Sequence, residues 1–314
     1  MAQSRSSVAG VSRKWLARSI RDGWLLIALI EENGTSLLAM RITSWNILHG
    51  MAIPPATHGQ MPTSLSQAAQ KITVELAPDV VGIQECDYAL ERSAHVNQIA
   101  EIATSIGAPY FAFAPCIIGT PGEKWRKLND GDRKIITNSD SSSHEGGYGI
   151  AIASKIEVLQ WHRLDLGNSP VGAPLLIPGD ESGPGKMRPI YIRDEPRVAL
   201  AATLADGFTI INTHLSFVPG FNLRQLRKLK RWAAELEKST GTIAIIMGDL
   251  NLPKNLPVVA SQWKSLVTQA TYPSWGAKIQ FDYILSKAPL SSQQLPTLLS
   301  GVSDHLPLSV EIKK

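Results

Sequence analysis

The sequence predicts an α/β fold. Short β-branched runs alternate with amphipathic stretches of helical period from residue 40 onward. The composition is that of an ordinary globular protein, 44% hydrophobic and 18% charged, with 24 Gly and 20 Pro in 314 residues. Polar residues also stand where the strand runs stop, the end at which α/β sheets hold ligands. At about 150 residues per domain, the length allows two small domains or one large one. No apolar run reaches the ~18 residues of a membrane span, and Trp24–Ile30 is the longest early candidate.

Residues 1–39 differ from the rest. Arg5, Arg13, Lys14, Arg18 and Arg21 precede Trp24–Ile30 in superficial likeness to a secretory leader, yet Glu31 and Glu32 follow and no small-residue cleavage site precedes the first strand. The segment is read as an N-terminal extension, disordered or a short helix, before a domain over 40–314. Met40 is an alternative start of translation. The extension's five basic and three acidic side chains supply +2 of the net +4, so the domain itself is only about +2. So weak a field names no polyanionic partner. Cys86 and Cys116 fit neither a disulfide framework nor a zinc spacing and are read as buried thiols of a reducing compartment. A cytoplasmic location is expected, with export or membrane-surface attachment through residues 1–30 as the alternative.

Taken in order, Arg41–Trp45 reads as a strand, and Leu65, Ala68, Ala69, Ile72 and Leu76 mark a helix that Pro78 ends. Val80–Ile83 is a second strand, and Val96, Ile99, Ala100, Ala103 and Ile106 line a helix with Gly107 as its C-terminal cap. Further strands are read at 149–154, 198–204, 208–213, 242–247 and 281–285. A helix from Asn222 to about Glu237 turns Leu223, Leu226, Leu229, Ala233 and Leu236 inward. The segments 119–147 and 167–196, rich in Gly, Ser, Asp, Asn and Pro, read as long loops. GxxxxGK[ST], GxGxxG and GxSxG are absent, which removes the common nucleotide-binding and serine-hydrolase readings.

The chemistry-bearing candidates are Asn46, Glu85, His214, the Gly248-Asp249-Leu250-Asn251 turn, Asp282 and Asp304-His305. Singly, each reads as a turn, a cap or a structural histidine. Together, carboxylates with Asn and no Cys or paired-His cluster make a hard oxygen site suited to Mg²⁺ or Mn²⁺. Two histidines add donors for developing negative charge. Phosphate-ester hydrolysis needs this combination: a cation on a phosphoryl oxygen, a carboxylate for the water and donors opposite.

The ordered series Ser44-Trp-Asn46, Gly82-Ile-Gln-Glu85, Asn212-Thr-His214, Gly248-Asp-Leu-Asn251, Phe281-Asp282-Tyr and Ser303-Asp-His305 resembles the endonuclease/exonuclease/phosphatase superfamily of deoxyribonuclease I-like phosphoesterases, from Met40 to about Ile312. The resemblance implies a four-layer α/β/β/α sandwich with two mixed sheets face to face. It implies a Mg²⁺-dependent hydrolase of phosphate esters, a phosphodiesterase acting by in-line attack of water, with Mn²⁺ as a substitute. By motif position, Glu85 would be the main metal ligand, with Asn46 and Asp304 at the metal site. Asp249 would activate water, Asn251 would position it, and His305 held by Asp282 would contact phosphate. His214 matches a second catalytic histidine, and Arg197, with Asn46, would bind the substrate phosphate. Trp45-Asn-Ile-Leu-His-Gly50 and Gln84-Glu-Cys-Asp87 depart from the abasic-site nuclease branch, so a repair nuclease is disfavoured. A nucleic-acid endonuclease, a lipid head-group phosphodiesterase and a non-catalytic binding protein are the alternatives. Trp125, Arg126, Lys127, Arg133 and Lys134 are read either as a stacking and phosphate-contacting surface or as a solvated loop. The expected partner is a phosphate-ester substrate, with nucleic acid and phospholipid head groups as candidates, and a monomer is expected.

Overall fold

The structure is a computed structural model that describes residues 7–8, 11–12, 39–53, 63–140, 145–178 and 187–314. Of the N-terminal extension, two short paired strands, Ser7–Val8 and Val11–Ser12, are described; the basic and apolar stretch over 13–38 lies outside the described residues. Met40–Lys313 forms a compact unit of its own. Among the described residues no helix is long and apolar enough to cross a membrane.

The major elements in chain order are β1 (Met40–Asn46), α1 (Leu65–Leu76), β2 (Val80–Tyr88), α2 (Gln98–Ile106), β3 (Tyr110–Gly119), β4 (Gly147–Ser154), β5 (Val158–Gly167), β6 (Ala173–Pro178), β7 (Met187–Ile192), β8 (Arg197–Leu204), β9 (Phe208–His214), α3 (Phe221–Thr240), β10 (Ile243–Asp249), β11 (Asp282–Ser286), β12 (Ser291–Gln294) and β13 (Leu308–Lys313). One sheet runs β12-β13-β1-β2-β4-β3, and short strands at Trp125–Arg126 and Ile136–Thr137 pair with β3. The other runs β11-β10-β9-β8-β5, with Lys264–Ser265 beyond β11. Both are mixed: β1 with β2 and β9 with β10 are parallel, and the remaining pairs are antiparallel.

Three apolar clusters set the layers. Ile42, Val80, Ile150 and Ile152 of the first sheet pack against Leu200, Ile210, Ile245, Met247 and Ile284 of the second. On the far side of the first sheet, Trp45, Ile83 and Phe113 meet Leu65, Ile72 and Leu76 of α1 and Ile99, Ile102 and Ile106 of α2. Leu226, Leu229, Ala233 and Leu236 of α3 cover the second sheet at Ala201, Ile211 and Ile246. The result is an α/β/β/α sandwich. Each fully buried Ile or Leu contributes roughly 2 kcal/mol of apolar transfer, so the three layers supply most of the drive to fold. Gly82 faces the second sheet, where a Cβ would lie 2.3 Å from the Met247 methyl and displace that side chain.

Local signals account for the helix ends. Ser64 and Gln67 form a reciprocal capping box at the start of α1, and Ala77 closes it in the left-handed region just before Pro78. Asn97 caps α2, so this helix begins at Gln98, two residues after Val96. The segment 167–196, read as a loop, contains the β6–β7 hairpin. Strands β3 and β5 were absent from the sequence reading. Pro115 sits in β3 beside a register shift, the position in a ladder where a missing N–H is tolerated. Strand β5 is an edge strand whose Gln160, His162, Arg163 and Asp165 dilute its apolar pattern.

Candidate active site

Strand register brings the motif residues to one end of the sandwich. Asn46 lies opposite Gln84 where β1 and β2 run parallel. His214 lies opposite Asp249 on β9 and β10, and Asp249 opposite Asp282 on β10 and β11. Leu308 pairs with Ser44, which delivers the preceding Ser303–His305 segment to the same end. The two sheets are tied together there. The Asn46 amide of the first sheet donates to Asp249 Oδ2 of the second at 3.2 Å. Below it, Asn212 donates to the carbonyls of Ile83 and Ala151, both at 2.8 Å, and accepts from Gln84 Nε2 at 2.6 Å.

Glu85 is placed by a bulge. The second strand continues to Tyr88, and its register with β4 shifts between Ile83 and Cys86, with Glu85 at φ +57°. A left-handed conformation costs a non-glycine residue on the order of 1 kcal/mol, and bulges of this kind re-aim a side chain. Asn46 Nδ2 donates to Glu85 Oε1 at 3.0 Å, so one amide tethers both carboxylates, while its carbonyl accepts from the Leu48 N–H at 3.0 Å. On the other sheet Gly248 has φ +142°, and a Cβ would meet the Thr213 carbonyl at 1.9 Å. This turn sets Asp249, whose Oδ1 accepts the Asn251 N–H at 2.9 Å.

The two histidines sit on either side of Asp249 in opposite charge states. His305 Nδ1 contacts Asp282 Oδ2 at 2.8 Å, and its Nε2 lies 3.7 Å from Asp249 Oδ2. Burial opposes a charged imidazole, yet Asp282, Asp249 and Asp304 overcome it and hold His305 well above the ordinary value of 6.5. Burial, Arg197 and cationic His305 drive His214 well below that value. Neutral His214 can accept at Nε2 the Asn251 amide 3.2 Å away, and the same Nδ2 donates to the Leu215 carbonyl at 3.0 Å. Burial and Asp282 push the Asp249 carboxyl up to about 6 against the pull of His305.

The first sheet's share of the site is anionic. Burial and Asp304 lift Glu85 to about 7, more than its bond from Asn46 and the charge of His305 offset. A carboxylate under the charge of a second carboxylate and bonded by an amide offers oxygen donors of the kind a hard divalent cation takes. Asp249, Asp282 and His305 also have ligand atoms within 4.8 Å of one another. That trio is better described as a charge-linked chain, because the His305 imidazole, hydrogen-bonded to Asp282 and 3.7 Å from Asp249, lies between the two carboxylates. Glu85, which feels the charge of Asp304, is the carboxylate outside that chain that could hold a cation.

The sequence profile of the Endonuclease/Exonuclease/phosphatase family matches residues 43–305. The chain belongs to this family. The family's reaction makes it a phosphoesterase. Its fold is shared with an endonuclease/exonuclease/phosphatase family protein from Bacteroides thetaiotaomicron at TM-score 0.55 and 14% identity, covering 87% of this chain and 94% of that one. A family member from Beutenbergia cavernae matches at TM-score 0.54 and 17% identity, over 88% of this chain and 71% of that one. A mannosyl-6-phosphatase from B. thetaiotaomicron matches at TM-score 0.52 and 14% identity, over 88% of this chain and 100% of that one. No curated protein matches the chain significantly.

Asn46, Glu85, His214, Asp249, Asn251, Asp282, Asp304 and His305 thus share one end of this family's sandwich. Arg197, expected at the substrate phosphate, is buried, with Glu195 at 2.8 Å and Asp194 at 3.6 Å. Its charge reaches His214 through space. The sequence reading missed Tyr272, whose ring lies 5.1 Å from that of His305 at 53°. Nothing local marks Tyr272, because its loop reaches the site through long-range bonds such as Leu306 N to the Thr271 carbonyl at 2.8 Å. In the 119–147 segment, Trp125 packs on Leu90, Ile117 and Tyr148, and Arg126 is paired with Asp132 and Glu145. Those two residues are engaged within the fold.

Proposed function

We propose that this phosphoesterase is a divalent-metal-dependent phosphodiesterase, with Mg²⁺ the natural cation, acting by single in-line displacement by water. The observation that carries the reading is the chain Asp282–His305–Asp249 joined through Asn46 to Glu85. It sets a cationic donor, a carboxylate near its working pKa and an anionic cation seat side by side. Glu85 and Asp304 would hold the cation, with Asn46 orienting Glu85; when bound, it neutralises charge on the phosphoryl oxygen it meets. Asp249, at about 6, accepts a proton from the attacking water. Asn251 orients that water, and His305 faces the phosphoryl group with its charge sustained by Asp282. His214, neutral, accepts hydrogen bonds and keeps a second positive charge away from Asp249.

The test compares bis(p-nitrophenyl) phosphate with p-nitrophenyl phosphate in Mg²⁺ and in EDTA, using the native chain and Glu85→Gln. The reading expects diester cleavage that needs Mg²⁺ and is lost in Glu85→Gln. Equal activity in EDTA would overturn the metal assignment, and monoester cleavage alone would overturn the diesterase assignment. Double-stranded DNA and sphingomyelin-type lipid, run in the same panel, sort the substrate class.

A further inference from the structure

The outer face of α3 is cationic over its first half. Arg224, Arg227 and Arg231 are exposed there at helical spacings of three and four residues, with Lys228 among them. Arg224 lies 5.8 Å from the centre of the Phe221 ring, and Lys228 donates to the Asp165 carbonyl at 2.6 Å, both uncharged partners. Among the described residues the three arginines have no carboxylate partner. Of the helix's acids, Glu237 is taken by Lys287 at 2.6 Å, and Glu235 comes one turn beyond Arg231.

This arrangement works against the helix itself. Like charges three and four residues apart repel, and the first turn holds no acidic residue to meet the positive end of the dipole, which the nearby arginines oppose. A face that is only solvated alternates in sign, so the cost points to an anionic partner outside the chain.

Apolar side chains stand beside the arginines. The loop after Asn251 is fastened to the flank of α3, where Lys230 donates to the Pro257 carbonyl at 2.6 Å and to Ser261 Oγ at 2.9 Å. Val258 packs into the cluster under α3, whereas Leu256 and Val259 of the same loop are 43% and 54% exposed. One exposed aliphatic side chain is ordinary, but two on a loop fixed beside three arginines form a mixed patch. Lipid phosphates suit the arginines, and the acyl boundary beneath them suits Leu256 and Val259. A nucleic-acid backbone would meet the arginines alone.

We infer that the outer face of α3, with the 253–261 loop, is a docking surface for an anionic phospholipid bilayer, seated by Arg224, Arg227, Arg231, Leu256 and Val259. The surface is independent of the phosphodiesterase reading, because none of these side chains enters that chemistry. It starts at the catalytic end, since Asn222 in the first turn of α3 donates to the Asn251 carbonyl at 3.0 Å.

The probe is a vesicle of phosphatidylcholine with roughly 30% phosphatidylserine. Flotation of the full chain in EDTA, at about 0.1 M salt, reads binding without turnover. The chain should float with these vesicles and not with pure phosphatidylcholine. Each cation is worth about fivefold in partitioning at such a surface, so Arg224→Gln with Arg227→Gln and Arg231→Gln should lower binding about a hundredfold. Arg224→Lys, Arg227→Lys and Arg231→Lys together should keep most of it, because the charge is retained. Leu256→Ser with Val259→Ser should lower it about tenfold, with circular dichroism showing every variant folded. No flotation with the anionic vesicles, equal flotation with pure phosphatidylcholine, or flotation unchanged by the glutamine substitutions would overturn the inference whatever the outcome of the activity panel. So would a loss in the glutamine variant with none in the Leu256/Val259 variant, which would make the face a nucleic-acid surface instead.

Discussion

His305 and His214 flank the same Asp249 carboxylate, at 3.7 and 3.5 Å, and are both buried, yet their surroundings drive them to opposite charge states. On the His305 side, three carboxylates outweigh desolvation. On the His214 side, desolvation is joined by Arg197 and by His305 itself. Burial alone therefore does not decide a histidine's role, whereas the sign of the next charge does.

Removing what the two sides share should do most. Asp249→Asn takes away the proposed proton acceptor and one of the charges holding His305, so kcat for a diester should fall by about 10³–10⁴ with the fold intact by circular dichroism. A fall under tenfold would show that neither histidine works through Asp249. On the His305 side alone, His305→Ala and Asp282→Asn should each lower kcat by roughly 10²–10³, and the double variant by far less than the product. Strictly multiplicative losses would separate the pair that the 2.8 Å contact joins. On the other side, His214→Gln keeps a neutral acceptor for Asn251 and should cost only about tenfold, against a larger loss for His214→Ala; equal losses would mean that acceptor geometry is not its contribution.

Glu85 shares the tendency of His214 toward neutrality, and this can be read without turnover. Its folded pKa is raised from 4.5 to about 7, so its charge destabilises the metal-free protein as pH rises through that window, and the cost is complete above it. Glu85→Gln in EDTA should therefore melt a few degrees higher than the native chain at pH 8 and no higher at pH 4, a difference of order 2 kcal/mol. Mg²⁺ should raise the melting temperature of the native chain and leave Glu85→Gln unchanged. A lower melting temperature for Glu85→Gln at pH 8 would reverse the sign assigned to this site.

Much of this contrast was legible in the sequence, and its physical limits are specific. Asn46, His214 and Asp249 end apolar strand runs, so their clustering followed from parallel β1–β2 and β9–β10 once the strands were recognised, whereas Asp282 opens β11 and His305 precedes β13, and both join through antiparallel pairing. The Glu85 bulge was not legible, because it exists only as a mismatch with β4. The pairing of Arg197 with Glu195 was hidden because a strand-end arginine looks the same whether it meets substrate or a carboxylate two residues away. Strands β3 and β5 carry Pro115 and a polar edge, so neither had a clean signature in the pattern.

The central contrast is tested most directly by the imidazole nitrogens themselves. In the metal-free native chain held at pH 6.5, an ordinary histidine is half protonated. Nitrogen-15 shifts of the two rings, assigned with His214→Gln and His305→Ala, should show His305 protonated on both nitrogens and His214 neutral. Two half-protonated rings at that pH, or a cationic His214 beside a neutral His305, would contradict the account.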